Sequence, residues 1–476
     1  MASTSIGSRS LLELLGEWRA DGPSYEALAD RIRLLVIDGR LLSGVRLPAE
    51  RELAAQLTIS RTTVTAAYQR LREQGFATSR QGSGTRTALP GRAASPTAPA
   101  QGLLDFTKAA LPAPSMMPDA VRRASEQVVS LLGDTGYDTV GLPVLREAIA
   151  RRYTERGLPT DADEVLVTVG AQQAIALIAR ALVSRGDRAL IEVPTYPHAY
   201  DAIGAAGARI VTTPVSVESR DGWDVETFES VLRRTSPSVA YVMPDFQNPT
   251  GRSMTASVRR RILDAAAAQG TVVVADETPA ELDIDRPRTY PPLAASANGA
   301  RVITIGSASK TMWGGLRIGW VRADRQTVRR LHAVRANMDL GTPVLEQLVV
   351  AALFESYETV LAERRLALAA GRSAIERAVP DAFGEWNVPH VHGGLAAWVN
   401  IGAPVSSQLA LAARSEGLLI TAGPRFGVDG AFERFLRLPL TYDESQVERA
   451  VSALQRAWRA ASRHPLPEPG VLAAVV

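Results

Sequence analysis

The chain has 476 residues, 46% of them hydrophobic and 22% charged, which is room for two or three domains with a sizeable core. It contains no cysteine, so disulfides and thiolate metal sites are excluded. Net charge is +3, and the whole basic excess lies in residues 1–90, where 12 arginines face 9 acids.

The first residues, MASTSIGSRSLLELLGEWRA, carry a short apolar run broken by Glu13 and Glu17, unlike a signal peptide. No apolar stretch approaches the roughly 18 residues that suggest a membrane span. The expectation is a cytoplasmic protein with no membrane contact.

Tyr25, Leu28, Ala29, Ile32, Leu35 and Val36 recur at helical spacing, and Asp38-Gly39 ends the run. Pro48 is expected to open a second, short helix with Leu53, Ala54 and Leu57 inward. Thr58-Ile59 then makes a tight turn. Ser60 is placed to cap a third helix bearing Val64, Ala67, Tyr68 and Leu71 on one face, with Gly75 at its end. FATS, RQGSG and TRT suggest a small hairpin. Two short helices, a tight turn and a hairpin suit a winged helix-turn-helix, whose second helix enters the major groove. The periodicity alone suits a small helical interaction domain equally well.

On the DNA-binding reading, Ser60, Arg61, Thr62 and Thr63 face base edges or phosphates, and Arg61 can fork onto guanine. Arg51 can hold a phosphate, and Gly82, Ser83, Gly84 and Thr85 form a hairpin tip that reaches the backbone or minor groove. Between Arg46 and Arg86, 7 arginines stand against 3 acids, a modest patch compatible with nucleic acid. GVRLPAERELAAQLTISRTTVTAAYQRLREQGFATSRQGSGT closely resembles the GntR-type winged helix-turn-helix, and the resemblance covers nearly all of residues 25–87. It implies double-stranded operator DNA as a partner. The DNA-binding domain is placed at 20–87.

Residues 88–103, rich in Pro, Gly and Ala, read as a linker to a larger unit at 104–476. There, apolar runs at 165–169, 189–193, 209–213, 239–243, 271–275, 301–305 and 318–321 alternate with helical segments. Runs apolar on both faces suggest a buried, mostly parallel sheet. After residue 390, LAAWVNI, LLITAG and FLRLPL suggest the shorter strands of a smaller C-terminal lobe.

Only two lysines occur, Lys108 and Lys310; every other basic residue is arginine. Lys310 follows an apolar strand and four small residues, and lysine, unlike arginine, condenses with an aldehyde. A Schiff-base lysine for pyridoxal 5′-phosphate needs a phosphate cradle, a carboxylate for the ring nitrogen and a donor to the ring hydroxyl. Ser307 and Arg317 flank Lys310 and suit a phosphate. TVGAQQAIAL passes from strand to helix, so the amides of Ala171 and Gln172 stand at a helix N-terminus, where anions are favoured. The Gln172 side chain can equally cap that helix. Asp276 ends a strand where α/β sheets bind ligands. Asn248 is a candidate donor to the ring hydroxyl, and Tyr196 can stack on the ring. Singly, the Asn248–Gly251 stretch reads as a turn, Asp276 as a cap and Tyr196 as core. Their joint occurrence at strand ends favours the cofactor reading.

YDTVGLPVLREAIARRY, TVGAQQA, VPTYP, QNPTG, VVADE, GSASK and LRIGW, in this order, resemble the fold-type I pyridoxal phosphate enzymes of the aspartate aminotransferase superfamily. The resemblance spans about 104–460. It implies the Schiff base at Lys310, the ring-nitrogen partner at Asp276, the ring-hydroxyl donor at Asn248, and phosphate contacts at Ala171, Gln172, Ser307 and Arg317. It further implies that Tyr137 reaches the partner subunit's phosphate and that Arg437 grips a substrate α-carboxylate. The family usually has a tyrosine two or three positions after the aspartate; here stand Thr278 and Pro279, which puts turnover in more doubt than cofactor binding. His390 and His392 alternate on one segment with no third ligand evident in the sequence. They read as structural, and no metal site is expected.

A GntR-type head on an aminotransferase-like body resembles the MocR subfamily of bacterial regulators. This implies an α/β protein: a winged helix-turn-helix, then a fold-type I domain with a smaller C-terminal lobe. It also implies a head-to-tail homodimer and DNA binding modulated by pyridoxal phosphate, alone or with an amine or amino acid that forms an imine with it. The alternative is a working aminotransferase with an accessory head.

Overall fold

The computed structural model describes residues 5–461, apart from 17, 20–22, 38, 39, 42, 43, 81–83, 89–102, 218–221, 429 and 430. Asp38-Gly39, the hairpin-tip residues Gly82 and Ser83, and all of the linker except its two end residues lie outside the described residues.

The head comprises α1 (Ser8–Leu15), α2 (Ser24–Ile37), α3 (Glu50–Leu57), α4 (Arg61–Glu73) and the antiparallel hairpin β1 (Ala77–Arg80) and β2 (Gly84–Thr87). Its core gathers Leu28, Ile32 and Leu35 of α2, Leu53 and Leu57 of α3, and Val64, Ala67, Tyr68 and Leu71 of α4. Each such leucine contributes about 1.5–3 kcal/mol by leaving water. Leu11 and Leu15 of α1 join the same core, so the packed unit reaches further toward the N-terminus than residue 20.

The expected helix start at Pro48 is displaced. Ala49 is still extended, at φ −61° and ψ 141°, and α3 begins at Glu50. The Pro48 carbonyl accepts a hydrogen bond from the buried Tyr68 hydroxyl at 3.0 Å, which ties the entry of α3 to α4. Thr58 takes the left-handed conformation, φ 55°, that a tight helix-to-helix turn demands.

The body continues through β3 (Leu104–Asp105), α5 (Met117–Val128), α6 (Pro143–Glu155), β4 (Val165–Thr168), α7 (Gly170–Leu182), β5 (Arg188–Val193), α8 (Pro197–Ala205), β6 (Arg209–Pro214), α9 (Val225–Thr235) and β7 (Val239–Val242). Then come α10 (Ala256–Gln269), β8 (Val272–Asp276), β9 (Val302–Ser307), β10 (Gly319–Arg322), α11 (Arg325–Arg335), α12 (Val344–Phe354) and α13 (Tyr357–Ala382). The last elements are β11 (Ala396–Asn400), α14 (Ser406–Ser415), β12 (Leu418–Leu419), β13 (Thr421–Ala422), β14 (Phe435–Pro439) and α15 (Glu444–Ala461).

Seven strands form one sheet in the order β4-β10-β9-β8-β7-β5-β6. Only β10 runs antiparallel to its neighbours. Each apolar run read as a strand is one, and the sheet is buried on both faces, with one core cluster on each. The smaller lobe has its own sheet, β11-β14-β13, and its own core. Here β3 pairs with β12, so the residues just after the linker are stitched into the far end of the chain. Among the described residues no helix is long and apolar enough to cross a membrane.

Candidate cofactor site and DNA interface

The parallel strands deliver their carboxyl ends to one edge of the sheet, where α/β proteins bind ligands. Asp276 closes β8 there and is buried, 3% exposed. Its two oxygens are fixed from opposite sides. The Tyr241 hydroxyl of β7 donates to Oδ2 at 2.5 Å, and the Thr278 amide donates to Oδ1 at 2.9 Å. Burial, with Asp276 next in effect, pushes the Tyr241 phenol well above its ordinary range, so it stays a donor. Tyr241 was not among the residues singled out from the sequence. Its place within an apolar strand run marks it only as core. The Tyr241→Phe variant should lose about 1–3 kcal/mol of stability in urea unfolding of the cofactor-free protein at neutral pH, because a buried carboxylate loses a donor. An unchanged midpoint and slope would show that Thr278 alone suffices.

Lys310 lies on one turn of π-helical geometry, Ser309–Trp313, just beyond β9. Such turns recur at functional sites. Its Nζ donates to the Ala109 carbonyl at 3.0 Å. Burial lowers its pKa to about 8, Arg437 and Arg317 push it the same way, and Asp276 opposes them. Lys108, by contrast, is an exposed lysine 3.1 Å from Asp105.

Arg317 takes the left-handed conformation, φ 53°, which costs a non-glycine residue of order 1 kcal/mol. Its guanidinium has no hydrogen bond or ion pair among the described residues and points at the start of α7. A Cβ on Gly170 would lie 2.6 Å from its Nη2, so that position stays glycine, at φ +74°. A Cβ on Gly319 would meet the Ala171 amide at 2.7 Å. An unpaired guanidinium thus faces the first amides of a helix, including that of Ala171, across a space kept clear by glycine. This arrangement fits a phosphate.

Gln173, rather than Gln172, caps α7, accepting from the Val169 amide at 2.5 Å. Gln172 donates to the His198 carbonyl at 3.1 Å and leaves its Oε1 buried without a partner. The Ser307 hydroxyl is engaged by Ser309 Oγ at 2.8 Å and the Ile318 carbonyl at 3.2 Å. Asn248 follows Gln247, whose amide reaches the Pro194 carbonyl at 2.6 Å and whose Oε1 accepts from Thr250. Gln247 therefore locks the loop of Asn248 to the loop that carries Tyr196. Burial raises the Tyr196 phenol, with Asp276 adding to the effect and Arg317 and Arg437 opposing it. Thr278 Oγ1 is buried and unpartnered.

Arg437, on β14, is 8% exposed and has no acidic partner among the described residues. It donates to the Thr107 carbonyl, sits 5.1 Å from the Phe426 ring centre, and leaves Nε unpartnered. Burial lowers its pKa to about 10. A buried guanidinium without a counter-ion is costly unless an anion arrives. Tyr137 stands apart from this group, 73% exposed.

In the head, Ser60 caps α4 by accepting from the Thr63 amide at 3.1 Å. Its hydroxyl also pairs with Thr62 Oγ1 at 2.6 Å and Thr63 Oγ1 at 2.8 Å, so the three hydroxyls first serve one another. The Arg61 side chain is 70% exposed, with Nε 3.7 Å from Glu50. Arg51 is exposed and makes no hydrogen bond or ion pair among the described residues. Gly84, at φ +77°, opens β2, and a Cβ there would come within 2.9 Å of Arg46 Nε. Arg46, the first arginine of the basic patch, is exposed.

Residues 105–454 match the family of class I and II aminotransferases, and residues 24–86 match the bacterial regulatory proteins of the gntR family. The chain belongs to the aminotransferase class I and II family. Its body is similar to 2-aminoadipate transaminase of Thermus thermophilus, 31% identical over 75% of this chain and 90% of that protein. It is also similar to the crystal structure of LysN, the α-aminoadipate aminotransferase of that species, complexed with N-(5′-phosphopyridoxyl)-L-leucine. That match has 30% identity and a TM-score of 0.68, and covers 76% of this chain and 94% of that one. The HTH-type transcriptional regulator TauR of Rhodobacter capsulatus is 28% identical over 91% of this chain and 97% of its own length. The probable rhizopine catabolism regulatory protein MocR of Rhizobium meliloti is 32% identical over 63% of this chain and 66% of its own length. The transaminases align with the body; TauR aligns with nearly the whole chain. A gntR head on an aminotransferase body is the MocR-type architecture, and pyridoxal 5′-phosphate is the cofactor of its body. When bound, that cofactor supplies an aldehyde for amines and a ring that withdraws electrons.

Proposed function

We propose that this protein is a transcriptional regulator that binds operator DNA through its head and reads pyridoxal phosphate, together with an amine or amino acid, through its body. One observation carries the reading: an exposed arginine-bearing recognition helix is joined in one chain to a site that retains Lys310, Asp276 and Arg437. Arg437, buried without a counter-ion, supports an effector that carries a carboxylate. For binding at the body to alter DNA binding, the effector must favour one arrangement of the heads, and DNA must then change effector affinity by the same factor.

A homodimer supports the same reading. Tyr137 is exposed beside Leu340, since Gly341 packs on the Asp138 backbone. Leu345 of α12 and Val121 of α5 are also exposed apolar side chains, and α5 packs on α12. A second copy, head to tail, would cover these side chains and bring Tyr137 to the partner's cofactor. A monomer by light scattering in the cofactor-loaded state removes this part.

The test is operator binding by fluorescence anisotropy, with and without pyridoxal phosphate, across a panel of amino acids and the matching amines. The expected result is an affinity that changes with cofactor and further with one effector. In Arg437→Ala the amino-acid response should weaken by about 2–5 kcal/mol, at least tenfold, while the cofactor spectrum stays. A response that survives intact means either that the effector carries no carboxylate or that Arg437 is not the residue that grips it. A transaminase is the second reading, favoured by the intact Lys310–Asp276 pair. Sustained turnover with an α-keto acid at roughly 1 per second or more would overturn a regulator-only reading.

A further inference from the structure

The segment before β11 turns His390 and His392 to the same side, with ring centres 5.0 Å apart. Its backbone is pinned to a distant loop. The His392 carbonyl accepts from the amides of Ile284 and Asp285, at 2.9 and 3.2 Å, and Asp283 bridges to Gly393. This pairing brings Asp285 to the histidines. His392 Nδ1 lies 2.9 Å from Asp285 Oδ1, and His390 Nε2 lies 3.8 Å from Asp285 Oδ2. One donor atom from each of the three residues lies within 4.8 Å of the others, a grouping found once among the described residues.

We propose that Asp285, His390 and His392 form a binding site for a divalent transition-metal ion of the zinc type. Two imidazoles and one carboxylate are a common zinc donor set, with an ion–ligand distance of about 2.0–2.2 Å. That distance sets neighbouring donors about 3–3.5 Å apart; the spacings of 2.9 and 3.8 Å to Asp285 bracket this, and the three donors, all within 4.8 Å of one another, close by small side-chain rotations. A further carboxylate completes the pattern. Glu376 of α13 is 2.7 Å from His390 Nδ1, so it accepts that N–H and leaves Nε2, the nitrogen facing Asp285, with its lone pair. The competing cation is Arg372, which donates to Asp285 Oδ2 at 2.6 Å and to the Val391 carbonyl at 2.8 Å, and whose Nη1 lies 3.4 Å from His390 Nε2, a contact that an arriving ion has to displace. Arg372 leaves Oδ1 facing His392.

Both histidines also border a cavity of about 200 Å³ that includes Arg252, Arg288 and Tyr290, which leaves the ion's remaining positions open to water or a small anion. The ion would join three segments: the loop after β8, α13 and the approach to β11. Val391, between the histidines, packs behind Gly251, whose Cβ would meet it at 2.6 Å. The site therefore stiffens the wall behind Asn248.

The test uses the untagged, cofactor-loaded protein, freed of metal by chelator. Zn²⁺ binding is followed by equilibrium dialysis, and Co²⁺ by its visible absorption. The expected result is one ion per chain, lost in the double variant His390→Ala/His392→Ala and weakened about 10- to 100-fold or more in Asp285→Asn and Glu376→Gln. The cofactor band, unchanged in each variant, reports an intact fold. No ion retained by the wild type overturns the proposal, because Arg372 then holds Asp285. Equal retention by the double variant overturns it as well.

Discussion

Alanine at position 310 should abolish the imine absorption band of the cofactor-loaded protein and leave only the spectrum of the free aldehyde. Only a primary amine forms the bond that produces it, and the other lysine, Lys108, lies exposed against Asp105. The electrostatics add a pH dependence that the wild type should show. Burial, Arg437 and Arg317 together lower the Lys310 pKa to about 8. Roughly a tenth of the lysine is then neutral at pH 7, against about one part in 2500 for an ordinary lysine near 10.4. The neutral amine is the nucleophile, so covalent capture of pyridoxal phosphate should rise about tenfold per pH unit below pH 8 and level off above it. Stopped-flow absorbance measures this directly. A band that persists in Lys310→Ala, or a capture rate flat below pH 8, would falsify the assignment.

The second large effect is expected at the other end of the chain. Arg61→Ala should weaken operator binding by about 1–3 kcal/mol, roughly 5- to 150-fold. Arg61 opens α4 at the position where a recognition helix meets base edges, and its side chain is 70% exposed. Its one acidic neighbour, Glu50, stands 3.7 Å away. An exposed pair of that kind is worth about 0–1 kcal/mol, so it does not hold the guanidinium back from DNA. Gel shifts against the operator and a shuffled duplex separate two roles. A loss confined to the operator marks base reading. An equal loss on both marks a phosphate contact, and no loss on either removes Arg61 from the interface. The cofactor spectrum should not change.

Much of the candidate site was legible because its chemistry needs particular residue types at particular places along the chain. Lysine in an arginine-rich sequence, aspartate at the end of an apolar strand, and a serine and an arginine flanking the lysine are local patterns. The structure places each of these at the carboxyl edge of one sheet. Residues whose role depends on a neighbour from another strand were not legible. Tyr241 sits in an apolar run, and only the pairing of β7 with β8 sets its hydroxyl against Asp276. Gln173 and Gln172 are adjacent and chemically identical, and the direction of each side chain decides which one caps α7. Pro48 has the residue type for a helix start, but a tertiary bond from Tyr68 claims its carbonyl and the helix begins later.

The histidine pair shows the same division. His390 and His392 are visible in the sequence as an alternating pair, but their carboxylate lies on a loop more than a hundred residues earlier, delivered by backbone pairing between two segments. By itself, the sequence determined the two-part architecture, the strand and helix runs of the body, the winged head and the candidate Schiff-base lysine. These follow from periodicity, capping and side-chain chemistry, which act over a few residues. Tertiary structure alone decided how Asp276 is held, why Arg437 lacks a counter-ion, and which carboxylate meets the histidines. Those depend on distances between segments far apart in the chain, and such distances exist only once the sheet has set its strand order.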